Sequence, residues 1–178
     1  KEIEDLRRDL DRLLRENREL TREVKEELEK LNRELEELVR RIKRTLDELL
    51  KDLERRNGAD KKLLDTIRRA LEEATKEIKE LLDDHKRLTD EVVKELEDSD
   101  RELEKRLREV KRELERTRDR EEIERLREEL RKLSEDNKDR IRRILERLRK
   151  TVEEIKKRLE DILRRLTEIA KEIEERAR

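Results

Sequence analysis

Apolar residues recur at eighteen-residue intervals along three consecutive stretches of the chain. The clearest series are Leu6, Val24 and Ile42; Leu10, Leu28 and Leu46; Ile78, Leu96 and Leu114; and Leu126, Ile144 and Ile162. Eighteen residues make five turns of 3.6 residues, which is the pitch of an undistorted α-helix. An apolar face with this period neither drifts around the helix nor requires a supercoil. The pattern therefore predicts long amphipathic helices that are nearly straight.

Two breaks in the pattern divide the chain. The first contains Asn57 and Gly58, the only glycine, which is expected to end a helix in the left-handed conformation. At the second break the apolar pattern changes phase, and Asp119 and Glu122 have the spacing of a capping box. These breaks predict helices over residues of about 2–56, 60–117 and 120–177.

Two further segments, 98–100 and 134–137, are rich in residues that favour turns and helix caps. The apolar pattern nevertheless continues through both segments without a change of phase, which favours uninterrupted helices. Cutting the chain at these segments would instead produce four or five shorter helices.

Short turns between the three segments predict an all-α fold, a long antiparallel up-down-up three-helix bundle that is nearly untwisted. We expect residues 1–178 to form a single bundle, with helices about 85 Å long. In this arrangement, the numbers of facing residues sum to about 116 across the first turn and to about 237 across the second.

The composition narrows the possible partners. Charged residues make up 61% of the chain, yet 54 basic side chains balance 55 acidic ones. This balance argues against a nucleic-acid surface, which needs a basic patch, and no apolar run is long enough for a membrane span or a signal peptide. We therefore expect a soluble monomer without partners. No targeting signal is found and the compartment stays undetermined, although recombinant cytoplasmic expression is expected.

Three polar residues occupy positions of the apolar face where the pattern predicts leucine: Asn17, Ser99 and Asn137. The expected register brings them into one layer of the core, where they could hydrogen-bond to one another. A layer of this kind can form a small polar ligand site. The favoured interpretation is a buried polar network that specifies register, as single buried asparagines do in coiled coils.

His85, the only histidine, also lies on the apolar face, in a layer expected to contain Leu31 and Val152. Its candidate hydrogen-bond partners are Asn32, Thr89 and Thr151. A metal site would need further ligands, and a catalytic base would need a nucleophile and a pocket. A hydrogen-bonded core histidine is the favoured interpretation, and a weak acid-triggered switch is a further hypothesis.

The whole chain resembles computationally designed three-helix bundles with straight helices and an eighteen-residue repeat. The resemblance rests on the series of Leu10, Leu28 and Leu46, on the turn at Asn57 and Gly58, and on the Lys, Glu and Arg surface. It implies a de novo designed, hyperstable scaffold without catalytic residues, cofactor or metal. The polar layer and His85 depart from purely apolar versions of such bundles and indicate a variant with a buried network.

Two other function classes compete with a designed scaffold. A structural or interaction protein, such as a coiled coil or a spectrin-like spacer, would share the helical pattern, but spectrin-like repeats carry buried aromatic residues and this chain has none. An enzyme would need a nucleophile with its base or a set of metal ligands, and the sequence shows neither.

Overall fold

The computed structural model describes residues 2–55 and 61–176. The chain is an all-α three-helix bundle, as predicted, and the described residues contain no strand. Its helices are α1, Glu2–Arg55; α2, Lys61–Arg116; and α3, Arg120–Arg176. The predicted turn residues Asn57 and Gly58 lie outside the described residues. The expected absence of supercoiling stays a prediction.

The alternative of four or five shorter helices is wrong. Helix α2 continues through residues 98–100, and α3 continues through residues 134–137. Ser99 and Asn137 are both buried there, so each takes its place on the inward face of an uninterrupted helix. Periodicity prevails over local turn preference because burying the continuous face stabilises the helix more than a few polar residues destabilise it.

The chain divides into two compact units, and each helix contributes one segment to each unit. Unit 1 comprises residues 1–28 and 89–148, and unit 2 comprises residues 29–88 and 149–178. That all 178 residues form a single domain stays a prediction.

Unit 1 has a leucine-rich core to which each helix contributes. The buried cluster consists of Leu6, Leu10, Leu13, Leu103, Leu107, Val110, Leu114, Ile123, Leu126 and Leu130. Within this unit α2 and α3 are antiparallel, because residue 106 contacts residue 129 while residue 95 contacts residue 147. Burial of this apolar face is the main source of stability, at about 25 cal/mol per Å² removed from water.

Unit 2 buries the continuation of the same apolar faces. Its buried side chains include Leu35, Ile42 and Leu49 from α1, Ile67, Ile78 and Leu88 from α2, and Val152, Leu159 and Leu166 from α3. Polar contacts also join its helices: His85 of α2 meets Asn32 of α1, and Arg165 of α3 pairs with Glu77 of α2 at 3.0 Å.

The helix surfaces carry ion pairs between neighbouring turns. Glu36 and Arg40 pair at 3.9 Å, at the four-residue spacing that the sequence shows repeatedly. Glu26 pairs with Arg22 at 3.8 Å. Such exposed pairs contribute only a few tenths of a kcal/mol each, so they favour helix and solubility without deciding the fold.

Asp119 caps helix α3. Its Oδ1 accepts a hydrogen bond of 3.2 Å from the backbone N–H of Glu121, and its carbonyl accepts one of 3.1 Å from Ile123 N–H. The reciprocal half of the capping box is absent. Glu122 instead accepts a 2.5 Å hydrogen bond from the hydroxyl of Thr117, and the N–H of Asp119 points to that hydroxyl at 3.4 Å. Thr117 is buried in the turn, and its hydroxyl binds the Glu122 carboxylate, which the capping-box spacing had placed at the backbone N–H of Asp119.

Candidate functional site

One polar arrangement in unit 1 links all three helices. We call it the asparagine cluster and define it as Asn17, Thr21, Asp100 and Asn137. The Nδ2 of Asn137 donates to Asn17 Oδ1 at 2.7 Å, and the Nδ2 of Asn17 donates to Asp100 Oδ1 at 3.0 Å. The hydroxyl of Thr21 donates to the same carboxylate at 3.1 Å. The arrangement is a chain of hydrogen bonds that begins on α3, passes through α1 and ends on α2.

The structure brings together two of the three residues that were expected to form the polar layer. Asn17 and Asn137 are buried and paired, but Ser99 bonds to neither of them. Its Oγ instead accepts a 2.9 Å hydrogen bond from Nη1 of Arg140 on α3. One helical residue corresponds to a rotation of about 100°, so Ser99 and Asp100 face different neighbours. The longer side chain of Asp100 reaches α1, and the short serine hydroxyl does not.

Two members of this site, Thr21 and Asp100, were not predicted from the sequence. A signal for Thr21 was present, since it lies four residues after Asn17 and therefore on the same helix face. Asp100 is only half-buried and stands in a run of acidic residues that reads as solvated surface. Its role depends on the distance between α1 and α2, which the pattern does not specify.

His85 occupies the apolar face of unit 2, with 9% of its surface exposed. Its Nε2 makes a hydrogen bond with Oδ1 of Asn32, one of the three partners that the sequence suggested. Burial lowers the pKa of His85 below its usual value of 6.5. The contact and the direction of the pKa shift both correspond to a neutral, hydrogen-bonded core histidine.

An arginine in unit 1 collects three carboxylates around one cation. Arg106 bonds to Glu129 on α3 and to Glu109 on its own helix at 2.9 Å, and it lies 3.7 Å from Glu113. Its side chain is 32% exposed. The hydrogen bonds to Glu129 and then to Glu109 raise the pKa of Arg106, so it remains charged at any ordinary pH. This inter-helix ion cluster was not predicted.

A surface groove of about 450 Å³ lies between α1 and α3 in unit 1. Leu13 and Leu130 form part of its wall, while Arg12, Arg131 and Glu135 contribute charge of both signs. Ser134 provides a hydroxyl, but none of the residues that line the groove is a histidine.

The described residues contain no group of three His, Cys, Asp or Glu side chains arranged to hold a metal ion. Across 2–55 and 61–176, no helix combines the length and the apolar composition that crossing a membrane requires. Carboxylates are abundant, but Asp100 accepts hydrogen bonds from Asn17 and Thr21, and Glu109 and Glu129 accept them from Arg106.

These features define the class of the protein as a three-helix bundle in which polar side chains cross-link an aliphatic core. The family described as a domain of unknown function, DUF4455, matches residues 3–177, and the chain belongs to this family. No curated protein and no solved structure matches the chain. The family description assigns no activity.

Proposed function

We propose that this protein is a structural helical scaffold that catalyses no reaction and holds no cofactor or metal. One observation carries the proposal. Among the side chains that the structure describes, Leu50 is the only large apolar one that is exposed, at 41%. Partner-binding surfaces usually show a contiguous apolar patch, and a single exposed leucine does not form one. The helices use their apolar faces on one another.

The polar core residues support the same proposal. The asparagine cluster connects three helices through hydrogen bonds among its own side chains. Buried polar residues of this kind specify register and orientation, because a shifted register would leave amide groups buried without partners. We interpret the cluster as a register device rather than a ligand site.

A designed origin is part of this proposal. Its support is compositional: no aromatic residue, Cys, Met or Pro occurs in 178 residues, and the apolar residues keep an eighteen-residue period. Leu, Ile and Val cores with regular spacing are the choice that specifies packing with defined rotamers. Hyperstability is the property that this origin implies, and it can be measured.

The test combines mass and stability. Sedimentation equilibrium should give a monomer of 22.1 kDa over a wide range of concentration. The midpoint of guanidinium unfolding should lie above about 5 M, and it should not change on dilution. A mass or a midpoint that rises with concentration would show that copies of the chain complete the fold together. A midpoint typical of ordinary domains would contradict the designed origin.

A second candidate is a structural or interaction protein such as a spectrin-like spacer. The family assignment over residues 3–177 is compatible with this role, because its description names no activity. A spacer would use the same bundle but would be held by partners at defined positions. The exposed apolar surface available for binding such a partner is small, since it consists of Leu50 among the described side chains. If the protein is a scaffold, replacing Leu50 by lysine should leave its mass and its stability unchanged. A marked change on Leu50→Lys would favour an interaction surface at that position.

A further inference from the structure

His85 is the only titratable side chain that is buried among those the structure describes. The other buried polar residues are asparagines, threonines and a serine, which do not change charge near neutral pH. The side chain lies in unit 2, one turn from Leu81 and Leu88, both of which are also buried. A change in the charge of this imidazole therefore takes place within the apolar core of unit 2.

The contact with Asn32 determines where a proton can be added. The Oδ1 of the asparagine amide can only accept, so Nε2 of His85 carries the hydrogen of this bond. The neutral ring is then the tautomer protonated at Nε2, and an additional proton must be taken up at Nδ1. The Nδ1 atom is itself buried. Since Asn32 is neutral, this hydrogen bond supplies no negative charge to stabilise an imidazolium.

The charged side chains closest in sequence to the level of His85 in unit 2 are mostly exposed. On each helix of unit 2, the acidic residues closest to this level are exposed, and the basic ones add no compensating charge. The residues in question are Glu29 and Arg33 on α1, Asp84, Lys86 and Arg87 on α2, and Arg149, Glu153, Glu154 and Lys156 on α3. Asp84 is paired with Arg87 at 3.3 Å and Arg33 with Glu29 at 3.9 Å, so these carboxylates are already engaged at the surface.

We propose that His85 is an acid-sensitive element of unit 2, in which protonation at Nδ1 places a positive charge in the aliphatic core and loosens its packing. The proposal goes beyond a scaffold role because it gives the bundle a response to mildly acidic pH. The response is confined to one side chain of one unit.

The direction of the pH effect follows from proton linkage. Burial lowers the pKa of His85 in the folded protein, whereas the unfolded chain keeps the usual value of 6.5. Between these two pKa values the unfolded chain binds more protons than the folded protein, so stability falls as the pH falls below 6.5. One proton can raise the unfolding equilibrium constant by at most about tenfold per pH unit.

The first measurement is a titration of the imidazole by NMR. A single histidine gives one set of ring signals, so the assignment needs no variant. The nitrogen shifts at neutral pH should report the tautomer that is protonated at Nε2, and the titration midpoint should lie below 6.5. A midpoint at or above 6.5, or the opposite tautomer, would overturn the proposal.

The second measurement compares the protein with a His85→Gln variant. Glutamine retains an N–H donor for Asn32 and cannot titrate, which makes it the matched control. Hydrogen exchange, corrected for its intrinsic pH dependence, should show that helix segments of unit 2 lose protection between pH of about 7 and about 5.5 in the parent only. Equal losses in parent and variant, or a loss confined to unit 1, would refute the assignment to His85.

Discussion

Replacing Asn137 by alanine removes the amide that donates a 2.7 Å hydrogen bond to Asn17 Oδ1. Asn17 is only 2% exposed, so water cannot easily replace the lost donor. An unsatisfied buried acceptor costs about 1–3 kcal/mol, and the space left by the amide adds to this cost. We expect Asn137→Ala to lower the free energy of unfolding by about 2–4 kcal/mol. For a chain of this length, that corresponds to a melting temperature lower by about 5–15 °C.

Guanidinium unfolding followed by circular dichroism measures this change, and the slope of the transition checks that both proteins unfold by the same process. Asp136→Ala is the matched control, because Asp136 is the preceding residue and is exposed. Its effect should stay within about 0.5 kcal/mol. If Asn137→Ala behaves like this control, the hydrogen bond to Asn17 does not stabilise the fold and the argument for a buried network fails.

The double variant Asn17→Leu with Asn137→Leu tests the role of the pair from the other side. It removes donor and acceptor together, so neither amide is left buried without a partner. Asp100 keeps the hydrogen bond from Thr21 at 3.1 Å and is only half-buried. We expect the double variant to be at least as stable as the parent, because replacing a buried polar group and its partner by aliphatic residues is often neutral or stabilising. A loss larger than that of Asn137→Ala would show that the cluster stabilises the core directly.

Two further substitutions test features outside the asparagine cluster. Arg106→Ala leaves Glu109, Glu113 and Glu129 without their shared cation. The free energy of unfolding should therefore fall by about 1 kcal/mol at low salt and by less at high salt, as measured by unfolding curves at two ionic strengths. A loss that is independent of salt would contradict the electrostatic explanation. Asp119→Ala removes the cap of α3 and should lower the free energy of unfolding by about 1 kcal/mol in the same assay. Hydrogen exchange should also become faster in the first turn of α3. An unchanged exchange rate in that turn would contradict the assignment of the cap.

The asparagine pair shows how far a periodic sequence predicts tertiary contacts. The register of straight helices placed Asn17, Ser99 and Asn137 in one layer, and the structure pairs Asn17 with Asn137 at 2.7 Å. The same register led to Asn32 as a partner of His85. Register indicates which residues share a level because each helix presents about one residue to the core at each level, so levels can be counted along the chain.

The sequence by itself determined the class of the fold, the three helices, the aliphatic core and the positions where polar residues enter it. These follow from a period of 3.6 and from the pattern of burial that this period requires. Tertiary structure decided which side chains meet at each level. Asp100, and not Ser99, bonds to Asn17, while Ser99 bonds to Arg140. Arg106 contacts carboxylates on two helices. The reason is that these contacts depend on helix rotation and side-chain reach over a few ångströms, which apolar periodicity does not encode.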